Sequence, residues 1–100
     1  MTNKLYTNES VYIVARSVEQ ANDIWNNCIY FTDNDIEFQK VNSSEELEVC
    51  VYIEDETGEP IVIPGGAELI GGDGYNYRLW KASAIKWAIA NPIGYLGEIV

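Results

Sequence analysis

The chain has 100 residues, the size of one ordinary domain, so we expect a single compact domain over residues 1–100. Hydrophobic residues make up 47% of the chain, which is enough for a packed core and too many for a disordered protein. Sixteen acidic against six basic residues give a net charge of −10. Such a charge repels DNA, RNA and anionic lipid, so we expect no direct binding to nucleic acid or membrane. The chain has no apolar run near the roughly 20 residues that span a bilayer and no signal-peptide pattern, so we expect a cytoplasmic protein.

The first clear element is the apolar run V-Y-I-V-A at residues 11–15, which is rich in β-branched and aromatic residues. It predicts a buried strand. Ser17 then begins S-V-E-Q, a capping-box pattern, and apolar residues follow at helical spacing. We therefore predict the first helix over residues 18–29.

The middle of the chain alternates between polar and apolar residues. Ile36 and Phe38 alternate with polar neighbours, which predicts a strand over residues 35–41 with one solvent-exposed face. The segment L-E-V-C-V-Y-I-E, residues 47–54, is the clearest alternation in the chain and predicts a second such strand.

A turn at residues 55–59 then leads to P-I-V-I-P, residues 60–64, which predicts a short edge strand because prolines flank it. Residues 65–74 form a glycine-rich segment without a phosphate-binding motif, and we interpret it as a loop.

Residues 78–90 carry apolar residues at helical spacing and predict a second helix that ends at Asn91-Pro92. Trp80 and Trp87 would then share one face of that helix, where a core position is the simpler interpretation and an interface anchor the alternative. The tail G-Y-L-G-E-I-V predicts a further short strand. The main order of elements, β-α-β-β-β-α, predicts an α+β fold in which a mostly antiparallel sheet of about four strands carries both helices on one face.

Metal binding is the first chemical interpretation of T-D-N-D-I-E-F, residues 32–38, because Asp33 begins a D-x-D-x-E pattern. A calcium loop, however, requires Gly at its sixth position and Glu at its twelfth, where this chain has Phe38 and Ser44. The chain has no histidine, and its two cysteines, Cys28 and Cys50, do not form a ligand pair. We expect no metal, no cofactor and two free thiols.

Catalysis is equally poorly supported by the residue types. Without histidine neither a Ser-His-Asp nor a Cys-His arrangement can form. Paired carboxylates can act as acid and base, but one of them must then lie in an apolar pocket. The acids of this chain lie in polar runs and turns, so we expect no enzyme and no catalytic residue.

The acids are concentrated in one region. Between Ser17 and Glu59 there are twelve acids and one base, Lys40, a net charge of −11. From Pro60 onward three acids balance three bases. Alternate acids share a face in an extended strand, about 6.6 Å apart, which resembles the spacing of phosphates along a nucleic-acid strand. If the strands at 35–41 and 47–54 pair, their acidic rows lie side by side.

Two interpretations of this region remain open: a solvated surface, and a surface that imitates nucleic acid. We favour imitation, because so dense a charge of one sign destabilises a sheet, and solubility alone does not require it. The predicted partner is a basic protein that normally binds nucleic acid. The predicted partner-binding residues are Asp33, Asp35, Glu37, Glu45, Glu46, Glu48, Glu54, Asp55, Glu56 and Glu59. Whether Trp80, Trp87 or the loop 65–77 also contributes is left open.

A small, acidic, histidine-free chain with T-D-N-D-I-E-F and E-D-E-T-G-E resembles the phage-encoded anti-CRISPR proteins that mimic DNA. The resemblance covers the whole chain in size and charge but aligns no motif, so it assigns no role to any residue. It implies binding to the DNA-recognition subunits of a CRISPR surveillance complex in the host cytoplasm. The alternative is an immunity protein or antitoxin that occludes the basic active site of a nuclease toxin.

Overall fold

The computed structural model describes residues 2–27 and 37–99. In chain order its elements are β1 (Lys4–Thr7), β2 (Val11–Ala15), α1 (Val18–Asn26), β3 (Gln39–Lys40), β4 (Glu46–Tyr52), β5 (Glu68–Gly72), β6 (Tyr77–Ser83), α2 (Ala84–Ala90) and β7 (Gly94–Ile99).

Within these residues seven strands form one antiparallel sheet in the order β3-β1-β2-β7-β4-β6-β5. The prediction of about four strands in the order β-α-β-β-β-α is therefore wrong. The sheet is larger because three strands were missed: β1, β5 and β6. The C-terminal β7, which was predicted as a short tail strand, lies between β2 and β4 near the centre.

The two helices cover opposite faces of the sheet, so their predicted placement on one face is also wrong. On β2, Tyr12 and Val14 pack in the same core as Trp87 of α2. Ile13, which points the other way, packs in a second core with Trp25 of α1. The run V-Y-I-V-A lacks polar positions because it is buried on both sides. We call the side of α2 the first face and the side of α1 the second face.

The first helix begins as the sequence predicts. The Oγ of Ser17 accepts a hydrogen bond from the backbone N–H of Gln20 at 3.1 Å, and the Gln20 side chain accepts one from the N–H of Arg16 at 2.7 Å. These bonds satisfy N–H groups that a helix terminus leaves without intrahelical partners. The helix extends over Val18–Asn26, and the last two residues of the predicted helix, 28 and 29, lie outside the described part of the chain.

Helix α2 is much shorter than predicted because its first half is a strand. Residues 77–83 form β6, which pairs with β4 on one side and β5 on the other. The helix starts after Ser83, whose Oγ accepts from the N–H of Lys86 at 3.4 Å. Residues 78–83 satisfy both a helical and an alternating pattern, and pairing on both sides of the strand decides between them.

Two loop predictions also need correction. The segment 60–64 is not a strand, since Pro60 makes one isolated bridge with Ile53. The glycine-rich segment 65–74, predicted as a loop, contains the edge strand β5. Of the strand predicted over residues 35–41, the structure describes residues 37–41, and two of these form the strand β3. Ile36 lies outside the described residues.

A close approach of β4 and β7 accounts for the glycine at position 97. A Cβ on Gly97 would lie 2.5 Å from Cγ1 of Val49 and 2.7 Å from the carbonyl oxygen of Cys50. Without that Cβ, Val49 of β4 packs directly over β7 in the core of the first face. This contact fixes β7 beside β4, which brings Glu98 next to the acidic strand.

Candidate functional site

The predicted partner-binding residues fall on separate parts of the chain. Asp33 and Asp35 lie outside the described residues. Glu37 is exposed and directly precedes Phe38, which is buried against Trp25 with ring centroids 5.9 Å apart. The predicted core position of Phe38 is therefore confirmed.

The other seven predicted residues lie along β4 or next to it, and all are exposed. They are Glu45, Glu46, Glu48, Glu54, Asp55, Glu56 and Glu59. The apolar residues of β4, Val49 and Val51, point into the first-face core, so alternate residues of β4 point to the second face. The alternation predicted for β4 is confirmed.

The turn after β4 is held by its own backbone. The N–H of Glu54 donates to the carbonyl of Glu59 at 2.9 Å, and the N–H of Gly58 donates to the carbonyl of Glu54 at 2.9 Å. Gly58 has a φ of 70°, a left-handed conformation that favours glycine. The carboxylates of this turn are thus presented on a closed loop at the end of the sheet.

The described parts of the two acidic segments do not lie side by side. Strand β3 pairs with β1 at one edge of the sheet, and β4 is separated from it by β1, β2 and β7. Because β3 and β4 do not pair, the described residues of the two segments form no combined row of carboxylates. The acidic surface that the structure describes is built around β4.

Most of these carboxylates are not neutralised within the protein. Nζ of Lys81 lies 3.6 Å from Oε2 of Glu46, and this is the one salt bridge within residues 2–27 and 37–99. Lys81 also faces Glu48 on β4 and Glu68 on β5 as direct cross-strand neighbours. One lysine therefore lies among three glutamates.

Among the described residues, no helix covers the second face over β4, β5 and β6. Helix α1 packs on β2 and β7, and its core includes no side chain of β4, β5 or β6. We call the remaining second-face surface the open face. It consists of Glu46, Glu48, Cys50 and Tyr52 of β4, Tyr77, Leu79 and Lys81 of β6, Glu68 of β5 and Glu98 of β7.

The strand register places an apolar centre inside this open face. Cys50 lies between Leu79 of β6 and Glu98 of β7, and Tyr52 lies opposite Tyr77. Cys50 is buried, whereas the Tyr52 side chain is 45% exposed. An apolar centre with a charged rim is the usual composition of a protein–protein interface.

Glu98 is a site residue that the sequence analysis missed. A hydrogen bond to the Glu98 carboxylate, together with its charge, raises the pKa of Tyr52. Burial first, and then the charges of Glu98 and Asp73, raise the pKa of the Cys50 thiol. Both groups are therefore uncharged at neutral pH, so the local charge comes from carboxylates. No local sequence signal reveals this arrangement, because it depends on the pairing of β7 with β4.

Asp73 differs from the other acids because it is used inside the fold. Its Oδ1 accepts hydrogen bonds from the backbone N–H groups of Tyr75, Asn76 and Tyr77 at 2.9, 2.7 and 3.1 Å. Its Oδ2 accepts from the side chain of Asn76 at 2.8 Å. These bonds lower the pKa of Asp73 to about 2 and organise the turn between β5 and β6.

The two tryptophans Trp80 and Trp87 and the loop 65–77 lie in different parts of the fold. Trp87 is fully buried, and its Nε1 donates to the carbonyl of Leu47 at 3.3 Å. Trp80 is half-buried against the same core but belongs to β6, so the two do not share a helix face. In the loop 65–77, Tyr75 is exposed and Tyr77 is half-buried on the open face.

The described residues also bear on metal binding and on membrane insertion. Across 2–27 and 37–99, no three His, Cys, Asp or Glu side chains are grouped so that they could hold a metal ion. Neither α1 nor α2 has the length and apolar character needed to cross a membrane. No protein-family model, curated protein or solved structure matches the chain.

Proposed function

We propose that this chain is a small acidic inhibitor that occupies a basic nucleic-acid-binding groove of a partner protein and so blocks nucleic acid from it. The observation that carries this proposal is the row of exposed carboxylates along β4 and the following turn. Apart from Glu46, none of them has an ion-pair partner in the described residues. Surfaces that bind phosphates are basic, and a fixed acidic surface competes for them.

The geometry fits this role in length and spacing. The seven residues of β4 extend over about 20 Å, and alternate side chains are about 7 Å apart along the strand. The turn at 54–59 continues the acidic surface beyond the end of the strand. The antiparallel sheet and the hydrogen-bonded turn fix the backbone that carries these carboxylates, so little backbone entropy is lost on binding.

The resemblance to anti-CRISPR proteins that mimic DNA indicates the kind of partner. We propose a DNA-recognition subunit of a CRISPR surveillance complex in the host cytoplasm. Association would be fast because opposite charges steer the encounter, and it would weaken strongly as salt is raised.

The test begins with capture of the tagged protein's partners from a lysate of the source cells at low salt, followed by elution with a salt gradient. Mass spectrometry then shows whether the captured protein is a DNA-recognition subunit or a nuclease. The purified partner is assayed for DNA binding in the presence of the chain. If no basic nucleic-acid-binding protein is captured, or if the captured one still binds DNA normally, the proposal is wrong.

A charge variant makes the test specific. Glu54→Gln, Asp55→Asn and Glu56→Gln together should weaken inhibition by about tenfold, since each exposed charge pair is worth up to about 1 kcal/mol. The matched control is Glu9→Gln, Glu19→Gln and Asp23→Asn, which removes the same charge from exposed positions outside β4 and the turn at 54–59. Equal losses in both variants would show that net charge alone, and not this surface, matters.

A further inference from the structure

Neither helix of the described chain covers the open face, although this face has the composition of a contact surface. On the other half of the second face, α1 buries the side chains of β2 and β7. On the open face, Tyr52 is 45% exposed and Tyr77 and Leu79 are half-buried. A sheet face with two tyrosines and a leucine at its centre is apolar enough to anchor a partner.

The charge of the open face determines what kind of partner fits it. The open face carries four glutamates and one lysine: Glu46, Glu48 and Glu68 lie around Lys81, and Glu98 lies beside Cys50 on the other side of β4. Lys81 contacts Glu46, which leaves the Glu48 and Glu98 carboxylates, on either side of Cys50, without an ion pair in the described residues. A second copy of this chain would bring the same negative charge to this surface and is disfavoured. A basic partner is favoured by charge complementarity.

Tyr52 and Glu98 together favour one basic side chain over the other. A guanidinium group is planar, stacks on an aromatic face and binds a carboxylate through two N–H groups, whereas an ammonium group is a strongly hydrated point charge. Tyr52 offers an exposed ring directly beside Glu98, and the hydrogen bond between them orients the carboxylate. Cys50 is buried between Glu48 and Tyr52 along β4 and beside Glu98 of β7, so these three side chains border one position on the face.

We propose that the open face is the centre of the contact with the partner and that it binds an arginine there, with the guanidinium stacked on Tyr52 and bound by Glu98 and Glu48. This inference rests on the proposed function and adds to it: the turn carboxylates steer a basic partner, and the open face selects arginine. A lysine at the same place satisfies the charge but forms neither the stack nor the paired hydrogen bonds.

The probes are a hexa-arginine and a hexa-lysine peptide, each titrated into the ¹⁵N-labelled full chain at low salt. We expect the arginine peptide to bind about two- to fivefold more tightly, as an exposed cation–π contact predicts. Its chemical-shift changes should centre on Cys50, Tyr52 and Leu79. Equal affinity of the two peptides, or shifts confined to the turn at 54–59, would overturn the inference.

Three variants separate this inference from the proposed function. Tyr52→Leu and Glu98→Gln should each remove the arginine preference and leave the affinity for the lysine peptide within about twofold. The turn variant of Glu54, Asp55 and Glu56 should weaken both peptides to the same extent. The spectrum of each variant reports whether it is folded.

If a partner is captured as proposed but the Tyr52 and Glu98 variants retain the preference, the inference fails and the proposed function stands. If neither peptide binds and nothing basic is captured, both fail.

Discussion

Asp73 and the carboxylates of the turn at 54–59 show that single acids of this chain have two different roles. Asp73 accepts four hydrogen bonds from residues 75–77, three of them from backbone N–H groups. The side chains of Glu54, Asp55 and Glu56 accept none in the described residues. An acid that binds its own turn is structural, whereas an acid that faces solvent without a partner is available for another protein.

Asp73→Ala should destabilise the protein in a pH-dependent way. The folded pKa is lowered to about 2 from an ordinary 3.8, so the carboxylate stabilises the fold above about pH 4. That contribution is lost as the pH falls from about 4 to about 2, because the group then takes up a proton in the folded state. Thermal unfolding at pH 7, 4, 3 and 2 should show the difference in Tm between wild type and variant shrinking over this range. Asp55→Ala is the control at an acid without such bonds, and a pH-independent difference for Asp73→Ala would contradict the argument.

At the scale of elements, one buried side chain ties an irregular segment to α2. Asn91 accepts a hydrogen bond from the N–H of Gly65 at 2.7 Å and donates to the carbonyls of Gly65 at 3.1 Å and Trp87 at 3.0 Å. It is buried, and its partners lie in the segment after Pro60 and in the last turn of the helix. The segment 61–67 has no strand of its own, so these bonds hold it against the end of α2.

Asn91→Ala should therefore destabilise the protein by about 2–3 kcal/mol, since it leaves buried backbone groups of Gly65 and Trp87 without partners. In the Asn91→Ala variant, the amide hydrogens of segment 61–67 should also exchange faster than the amide hydrogens of the strands do. Denaturant unfolding and hydrogen exchange measure the two effects. Asn26→Ala, at an exposed end of α1, should cost much less. An equal loss in both variants would mean that Asn91 does not connect these elements.

The elements that the sequence predicted correctly are those with complete local signals. V-Y-I-V-A for β2, the Ser17 cap of α1 and the alternation of β4 each lie within a few consecutive residues. β1 was missed because its hairpin depends on Asn8, whose Oδ1 accepts from the N–H groups of Ser10 and Val11, and on the left-handed φ of Glu9. No apolar pattern marks that turn.

The same distinction applies to the candidate site. Alternation alone placed Glu48 on an outward row of β4, and the position is confirmed. Glu98 could not be placed, because its position next to Cys50 follows from the long-range pairing of β7 with β4. The spacing of Arg78–Ser83 suits both a helix and a strand, so the sequence alone does not predict β6 or the open face to which it contributes. A local sequence pattern predicts a strand and its solvent-exposed side, whereas the surface that several strands form together depends on the topology of the sheet.

At the scale of the whole molecule, charge acts in opposite directions on folding and on binding. A net charge of −10 in 100 residues makes the compact state repel itself, most strongly where acids are adjacent, as at residues 54–56. The same charges attract a basic partner. If the acidic surface is maintained for binding, removal of its charges should improve the stability of the free protein and weaken the complex.

The variant Glu54→Gln, Asp55→Asn and Glu56→Gln tests both directions in one molecule. At about 0.1 M NaCl its Tm should exceed that of the wild type by a few degrees, because like-charge repulsion in the turn is relieved. At about 1 M NaCl, where the screening length falls from about 10 Å to about 3 Å, the two Tm values should converge. The control Glu9→Gln, Glu19→Gln and Asp23→Asn, at more widely spaced acids, should gain less. A turn variant that is less stable than the wild type at low salt would show that these carboxylates contribute to the fold, and the argument that they are maintained for a partner would fail.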